Sequence, residues 1–203
     1  MNNKYFDINK ISERDTNVPL KKSEKNEQWI TKYLATHFQK ISKLEEDLFR
    51  VPSNEEFFFL QSESSFNAFD FLLLVVKREP IKQLYASTYS ISRRVIESLV
   101  ELHDSGLIEQ LTLFISESMI KRNPVTIDNL MAMAKNRPNL TVLYAWSHAK
   151  VCLMQTHENW YCVEGSGNWS DNAHYEQYLF ANCKNLYDFR KKLFTESKIK
   201  TYG

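Results

Sequence analysis

His148 and Lys150 stand two residues apart, the turn-forming stretch Gly165-Ser166-Gly167-Asn168 comes next, and Glu176 lies a little further on. An imidazole can act as a nucleophile, an ammonium group supplies a fixed positive charge, a hydroxyl and a carboxamide donate hydrogen bonds, and a carboxylate can orient an imidazole. Those are the groups needed to attack a phosphodiester without a metal. Attack by His148 on phosphorus gives a phosphohistidine and splits hydrolysis into two easier steps. Lys150 and Asn168 then stabilise charge on the equatorial oxygens, Ser166 donates a hydrogen bond, and Glu176 orients His148 and favours its charged form once it has attacked.

Something must hold these side chains together. Along a strand, residues two apart share a face, so His148 and Lys150 point the same way, as do Ser166 and Asn168. The segments 150–155 and 160–164 read as strands joined by the short connection Thr156-His157-Glu158. A hairpin turning about His157 sets Ser166 opposite His148 and Glu164 opposite Lys150, and gathers all four on one face. It also sets Cys152 opposite Cys162. A slip of one residue would separate the group.

Upstream, short β-rich runs alternate with helical patterns. Strands are expected over 56–61, 81–89, 108–116 and 140–145, and a last one over 176–183. Between them lie a helix capped by Ser64 or Ser65 and ended by Pro80, a helix with Ile91, Val95, Ile96, Leu99 and Leu102 on one face and a left-handed exit at Gly106, and a helix from about Thr126 to Asn136. A helix marked by Leu186, Phe189, Leu193 and Phe194 closes the chain. Strands separated by helices of this length mean βαβ crossovers, a largely parallel sheet with helices on both faces, and an α/β fold. Residues 1–52 read as a loose arm and then a long amphipathic helix over 26–49, and residues 53–203 as the catalytic domain.

The chain has 203 residues, 43% of them apolar, which suffices for one filled core. Its net charge is +1, from 26 basic and 25 acidic side chains, so no global field recruits a polyanion and nucleic-acid affinity must come from local clusters such as Arg93-Arg94 or Lys121-Arg122. The apolar run from Phe71 to Val76 is too short to span a bilayer and the N-terminus lacks an apolar core, so a cytoplasmic protein without a membrane anchor is expected. Cys152, Cys162 and Cys183 show no CxxC spacing, which argues for reduced core thiols rather than a metal site. No cofactor is called for.

The motif set resembles that of the phospholipase D superfamily, written HxK(x)4D, then GSxN, then a later Glu. Here the matching residues are His148, Lys150, Gly165, Ser166 and Asn168, with Glu176 in the place of the carboxylate. The resemblance covers roughly residues 56–195, one half of that fold. Gln155 stands where the family has Asp, and the gap from His148 to Gly165 is three residues longer than usual. The resemblance implies a phosphodiesterase. It also implies a homodimer with one composite site, because the reaction needs a second histidine and single-copy members pair two chains about a two-fold axis. Such members are mostly nucleases, so DNA or RNA is the expected substrate. Ser87, Thr88 and Arg93, which come after a parallel strand where α/β sheets place ligand-binding groups, are candidate substrate contacts beside Gly165; turn capping explains the same hydroxyls. A silent nucleic-acid-binding scaffold and a phospholipid or small phosphodiester hydrolase are the alternatives.

Overall fold

Residues 35–196 and 200–201 are described by the computed structural model. Their elements run, in chain order, β1 (Ala35–Ile41), α1 (Leu44–Asp47), β2 (Glu56–Ser62), α2 (Asp70–Val76), β3 (Ile81–Thr88), α3 (Arg93–Asp104), β4 (Ile108–Ser116), α4 (Ser118–Arg122), α5 (Pro124–Ala134), β5 (Leu140–Ala145), β6 (Val151–Gln155), β7 (Trp160–Gly165), β8 (Gln177–Asn182), α6 (Lys184–Thr195) and β9 (Lys200–Thr201). The strands form one mixed sheet in the order β1-β2-β8-β7-β6-β3-β4-β5-β9. β1 and β2, β3 and β4, and β4 and β5 are parallel. The late strands β6, β7 and β8 pair antiparallel with one another and with β3 and β2 on either side.

Local chemistry sets most of the helix ends. Ser92 caps α3 by accepting from the Val95 amide, and Asn123 caps α5 by accepting from the Thr126 amide, with Pro124 at the first helical position. Gly106 carries a φ of 78° and turns the chain out of α3. α2 begins later than expected, at Asp70. The two serines expected to cap it are used elsewhere: Ser64 donates to the Ser42 carbonyl and Ser65 to the Asn172 carbonyl.

Two cores form. Against one sheet face, α2, α3 and α5 bury Phe71, Leu72, Ile96, Leu99 and Leu130 over Leu84, Leu113 and Phe180. Against the other, α6 buries Tyr187 and Phe194 over Val151, Leu153 and Cys162. Each such apolar side chain contributes about 1.5–3 kcal/mol relative to exposure.

The expectation for residues 26–49 needs correction over its described part. Residues 35–41 are a strand and only 44–47 are helical, so one continuous helix does not form there; residues 26–34 lie outside the described part. The apolar spacing fits a helix, but the parallel ladder from Ala35↔Glu56 to Ile41↔Ser62 uses the backbone groups that a helix would keep for itself. Ile41, Leu44 and Leu48 are buried in the larger core, so the break near residue 52 does not separate this segment from the strands and helices after it.

The expected pairing of Cys152 with Cys162 is also corrected: Cys152 faces Val163, and Cys162 faces Leu153. All three cysteines are free and buried. Burial pushes the Cys152 and Cys162 thiols well up, away from the reactive thiolate. Among the described residues no helix is long and apolar enough to cross a membrane.

Candidate active site

The candidate groups gather at one end of the β6–β7 hairpin. The turn Thr156–Asn159 is closed by the Thr156 amide on the Asn159 carbonyl at 3.0 Å and by the Asn159 amide on Thr156 Oγ1 at 3.1 Å. Two central residues, His157 and Glu158, therefore span it, and the ladder runs from Gln155↔Trp160 to Val151↔Glu164. The Gly165 amide extends the pairing to the Lys150 carbonyl at 3.3 Å. Residues 148–150 thus lead into β6 where residues 165–168 leave β7.

This register is one residue away from the expected one. Lys150 is opposite Gly165 rather than Glu164, and Glu164 is opposite Val151. Directly opposite residues share a face, so the slip turns Glu164 to the side of α6, where Arg190 holds its carboxylate at 2.6 Å. It also leaves Lys150 facing a residue with no side chain. An open groove of about 810 Å³ passes this point, lined among others by His148, Lys150, Gly165, Gln177, Leu179 and Arg190.

The His148-Ala149-Lys150 segment is tied down by its backbone. Ser87 Oγ donates to the Ala149 carbonyl at 3.0 Å, the Ala149 amide donates to Ser147 Oγ at 3.1 Å, and Lys150 Nζ donates to the His148 carbonyl at 3.0 Å. The His148 ring is exposed and stacks on Tyr89, with centroids 3.9 Å apart and planes 26° from parallel. Arg122 and Lys150 both carry their charge near the same tyrosine, with Arg122 Cζ at 4.3 Å and Lys150 Nζ at 5.9 Å from its ring centroid.

The two glycines of the 165–168 turn are required by close approach rather than by an unusual φ. A Cβ at Gly165 would lie 2.1 Å from the Gln177 carbonyl oxygen, and one at Gly167 would lie 2.0 Å from the Tyr178 hydroxyl. The buried Tyr178 therefore fixes the path of the turn. Its hydroxyl has no hydrogen-bond partner among the described residues, and burial pushes its ionisation up.

Ser166 and Glu176 meet each other. The Ser166 hydroxyl donates to Glu176 Oε2 and accepts from the Gln177 amide at 3.0 Å. Its single proton is therefore directed at Glu176, not at a phosphate, and Glu176 is paired with Ser166 rather than with the His148 ring. The expected roles have Ser166 donating to a phosphate and Glu176 orienting His148; the hydrogen bonds present join the two residues to each other. Asn168 is held through its backbone: Asn172 accepts from its amide at 2.7 Å and donates to its carbonyl at 2.8 Å. The Asn168 Oδ1 atom is turned into the protein without a donor.

Ser87 and Thr88, the candidate substrate contacts, are both buried. They are 3% and 2% exposed. Thr88 Oγ1 donates to the Ser90 carbonyl at 2.8 Å and accepts from the Trp169 amide at 3.2 Å. Together with the Ser92 amide on the Trp169 carbonyl at 2.9 Å, this joins the end of β3 to the turn after β7. Arg93 is exposed on the first turn of α3 and pairs with Glu97 at 2.8 Å. Gln155 sits at the far end of β6, opposite Trp160 and Gln83, five residues and about 16 Å of strand from Lys150. His174, the other histidine of this region, is exposed next to Tyr175.

Sequence reasoning does not single out Tyr89, Tyr178 or Asn172, and finds Arg122 only within the basic pair Lys121-Arg122, with nothing to place it beside His148. Tyr89 comes directly after Thr88, and the two buried hydroxyls before it have the stronger chemical signal. Among the described residues no group of three His, Cys, Asp or Glu side chains is placed to hold a metal ion.

The sequence matches no protein-family model and no curated protein. Solved structures do resemble the fold. Polyphosphate kinase from Porphyromonas gingivalis superposes with a TM-score of 0.50 at 12% identity, over 68% of this chain and 25% of that one. Phosphatidylserine synthase from Haemophilus influenzae Rd KW20 gives 0.49 at 9% identity, over 72% of this chain and 39% of that one. The chain thus spans a quarter of the kinase's length. The likeness to the kinase is one of fold: the chain shares its α/β architecture over the matched part.

Proposed function

We propose that the chain is a metal-independent phosphodiesterase, an endonuclease acting on DNA or RNA through a phosphohistidine at a site shared by two copies. The observation that carries this reading is the hydrogen bond from the Gly165 amide to the Lys150 carbonyl. It brings the start of β6, with His148 and Lys150, level with the turn that ends in Asn168. Two sequence motifs separated by a hairpin thereby become one surface, on a fold whose solved relatives include a polyphosphate kinase.

In this reading the neutral His148 imidazole attacks phosphorus, the nitrogen–phosphorus bond forms, and the bond to the leaving oxygen breaks. The leaving oxygen takes a proton from the protonated His148 of the second copy. Water then attacks the phosphohistidine, giving its proton to that second imidazole, and a phosphomonoester leaves. Lys150 and Asn168 stabilise the non-bridging oxygens. Glu176 acts through Ser166, fixing the turn that carries Asn168. Gln155 lies too far along β6 to touch the reacting groups, so the departure from the family pattern changes the sheet rather than the chemistry.

The test is to mix the protein with end-labelled single-stranded oligonucleotide in excess chelator and quench at alkaline pH, where phosphohistidine survives. Cleavage with the label recovered on His148 is expected. Cleavage that chelator abolishes, or that leaves no label on the protein, would sink the mechanism. Light scattering at micromolar concentration should report a dimer; a fully active monomer would overturn the shared site.

A further inference from the structure

The environment of Tyr89 contains positive charge that no carboxylate answers among the described residues. Arg50, Arg93, Arg137 and Arg190 each meet a carboxylate, of Glu56, Glu97, Asp104 and Glu164 respectively. Arg122 is exposed and meets none among the described residues; it donates one N–H, from Nη2, to the Tyr89 carbonyl at 3.3 Å. Lys150 likewise bonds only a carbonyl, that of His148. Both cations lie within 6 Å of the centroid of the ring on which His148 stacks.

Holding two like charges against one aromatic ring beside an imidazole is unfavourable by itself and becomes favourable when an anion arrives. The guanidinium is also pre-ordered, because the ring face and the carbonyl fix its plane while most of its five N–H donors remain for a ligand. Lys150 is committed to the reacting phosphate in the proposed mechanism. Arg122, reaching the cluster from the end of α4, is left for another.

We infer that Arg122 is a substrate-binding residue that holds a phosphate flanking the scissile one, so that the substrate is a phosphodiester within a chain of phosphates, a nucleic acid strand rather than an isolated phosphodiester. Tyr89 is the positioning residue that fixes Arg122 against His148. This rests on the proposed phosphodiesterase site, and its test has a readout that does not need turnover.

Compare Arg122→Ala, Arg122→Lys and the wild type on a short single-stranded oligonucleotide and on bis(4-nitrophenyl) phosphate, which has one phosphorus. Arg122→Ala should raise KM on the oligonucleotide about tenfold, a loss about ten times greater than on the small ester, with Arg122→Lys recovering part of it. In equilibrium binding, done in a His148→Ala background, removing Arg122 should reduce the slope of log affinity against log salt by about one. Lys82→Ala, an exposed cation at the opposite end of β3, should leave that slope unchanged.

Equal losses on both substrates would show that Arg122 acts only through Tyr89 and His148, and would overturn the flanking-phosphate role. So would an unchanged salt slope, or head-group release from phospholipid vesicles that Arg122→Ala does not affect. If the wild type cleaves nothing yet the slope still falls with Arg122→Ala, the phosphate subsite stands and the hydrolytic reading fails.

Discussion

His148→Ala lowers oligonucleotide cleavage by about four orders of magnitude or more, because it removes the nucleophile and, in a dimer, the proton donor for the leaving oxygen as well. The fold should hardly notice. The ring is exposed and, among the described residues, its one ring contact is the stack on Tyr89. Losing that stack costs about 0.5–1.5 kcal/mol, a drop in thermal midpoint of roughly 1–6 °C for a chain of this size. Cleavage and melting curves measured on the same preparation separate the two effects. A variant that keeps more than a tenth of the activity would remove His148 from the reaction. One that unfolds would show that the imidazole is structural instead. A mixed sample of wild type and variant adds a check on the shared site: if each reaction needs two imidazoles, activity falls faster than the fraction of wild-type chains.

Gly167→Ala is expected to be the most damaging small substitution in the turn. The added methyl would sit 2.0 Å from the Tyr178 hydroxyl and 2.8 Å from its Cζ. The tyrosine cannot retreat: it is 4% exposed, stacked on Phe66 with centroids 5.2 Å apart and packed on Phe71 at 5.1 Å. Overpacking of this kind costs about 3 kcal/mol, or roughly 6–12 °C in midpoint. Tyr178→Phe alone should be neutral or slightly stabilising, since it deletes a buried hydroxyl that nothing satisfies. The double variant should recover about 1 kcal/mol of the loss, because the nearest clashing atom is gone while the ring remains. Strict additivity of the two changes in thermal denaturation would mean that the turn yields in some other way.

The strands are largely legible because they announce themselves. Ile108–Ser116 and Leu140–Ala145 are β-branched and aromatic runs bounded by breakers, and the structure returns them with those limits. The exit of α3 is legible because only a residue without Cβ takes its φ cheaply. The features that escape depend on counting or on distant partners. The hairpin falls one residue from its expected register because a turn centred on His157 and a turn with His157 and Glu158 at its tip differ by half a step, and that half step decides which side chain Lys150 faces. Residues 35–41 carry apolar spacing that suits a helix; their strand state comes from pairing with β2 twenty-one residues later. At the site, residue type alone finds the motif, but the commitment of Ser166 to Glu176 and the stack under His148 are matters of three-dimensional neighbourhood that no spacing encodes.

The sheet order has a consequence for how the protein comes into being. β2 and β3 are neighbours in sequence yet stand apart in the sheet, with β8, β7 and β6 inserted between them. As the polypeptide emerges from the ribosome, both strands have one open margin until the last third of the chain has been made. The central strands then act as a keystone, and the pocket around His148 takes shape at the moment they lock in. A nascent chain stalled before β6 would present two sticky half-sheets, the kind of species on which chaperones act.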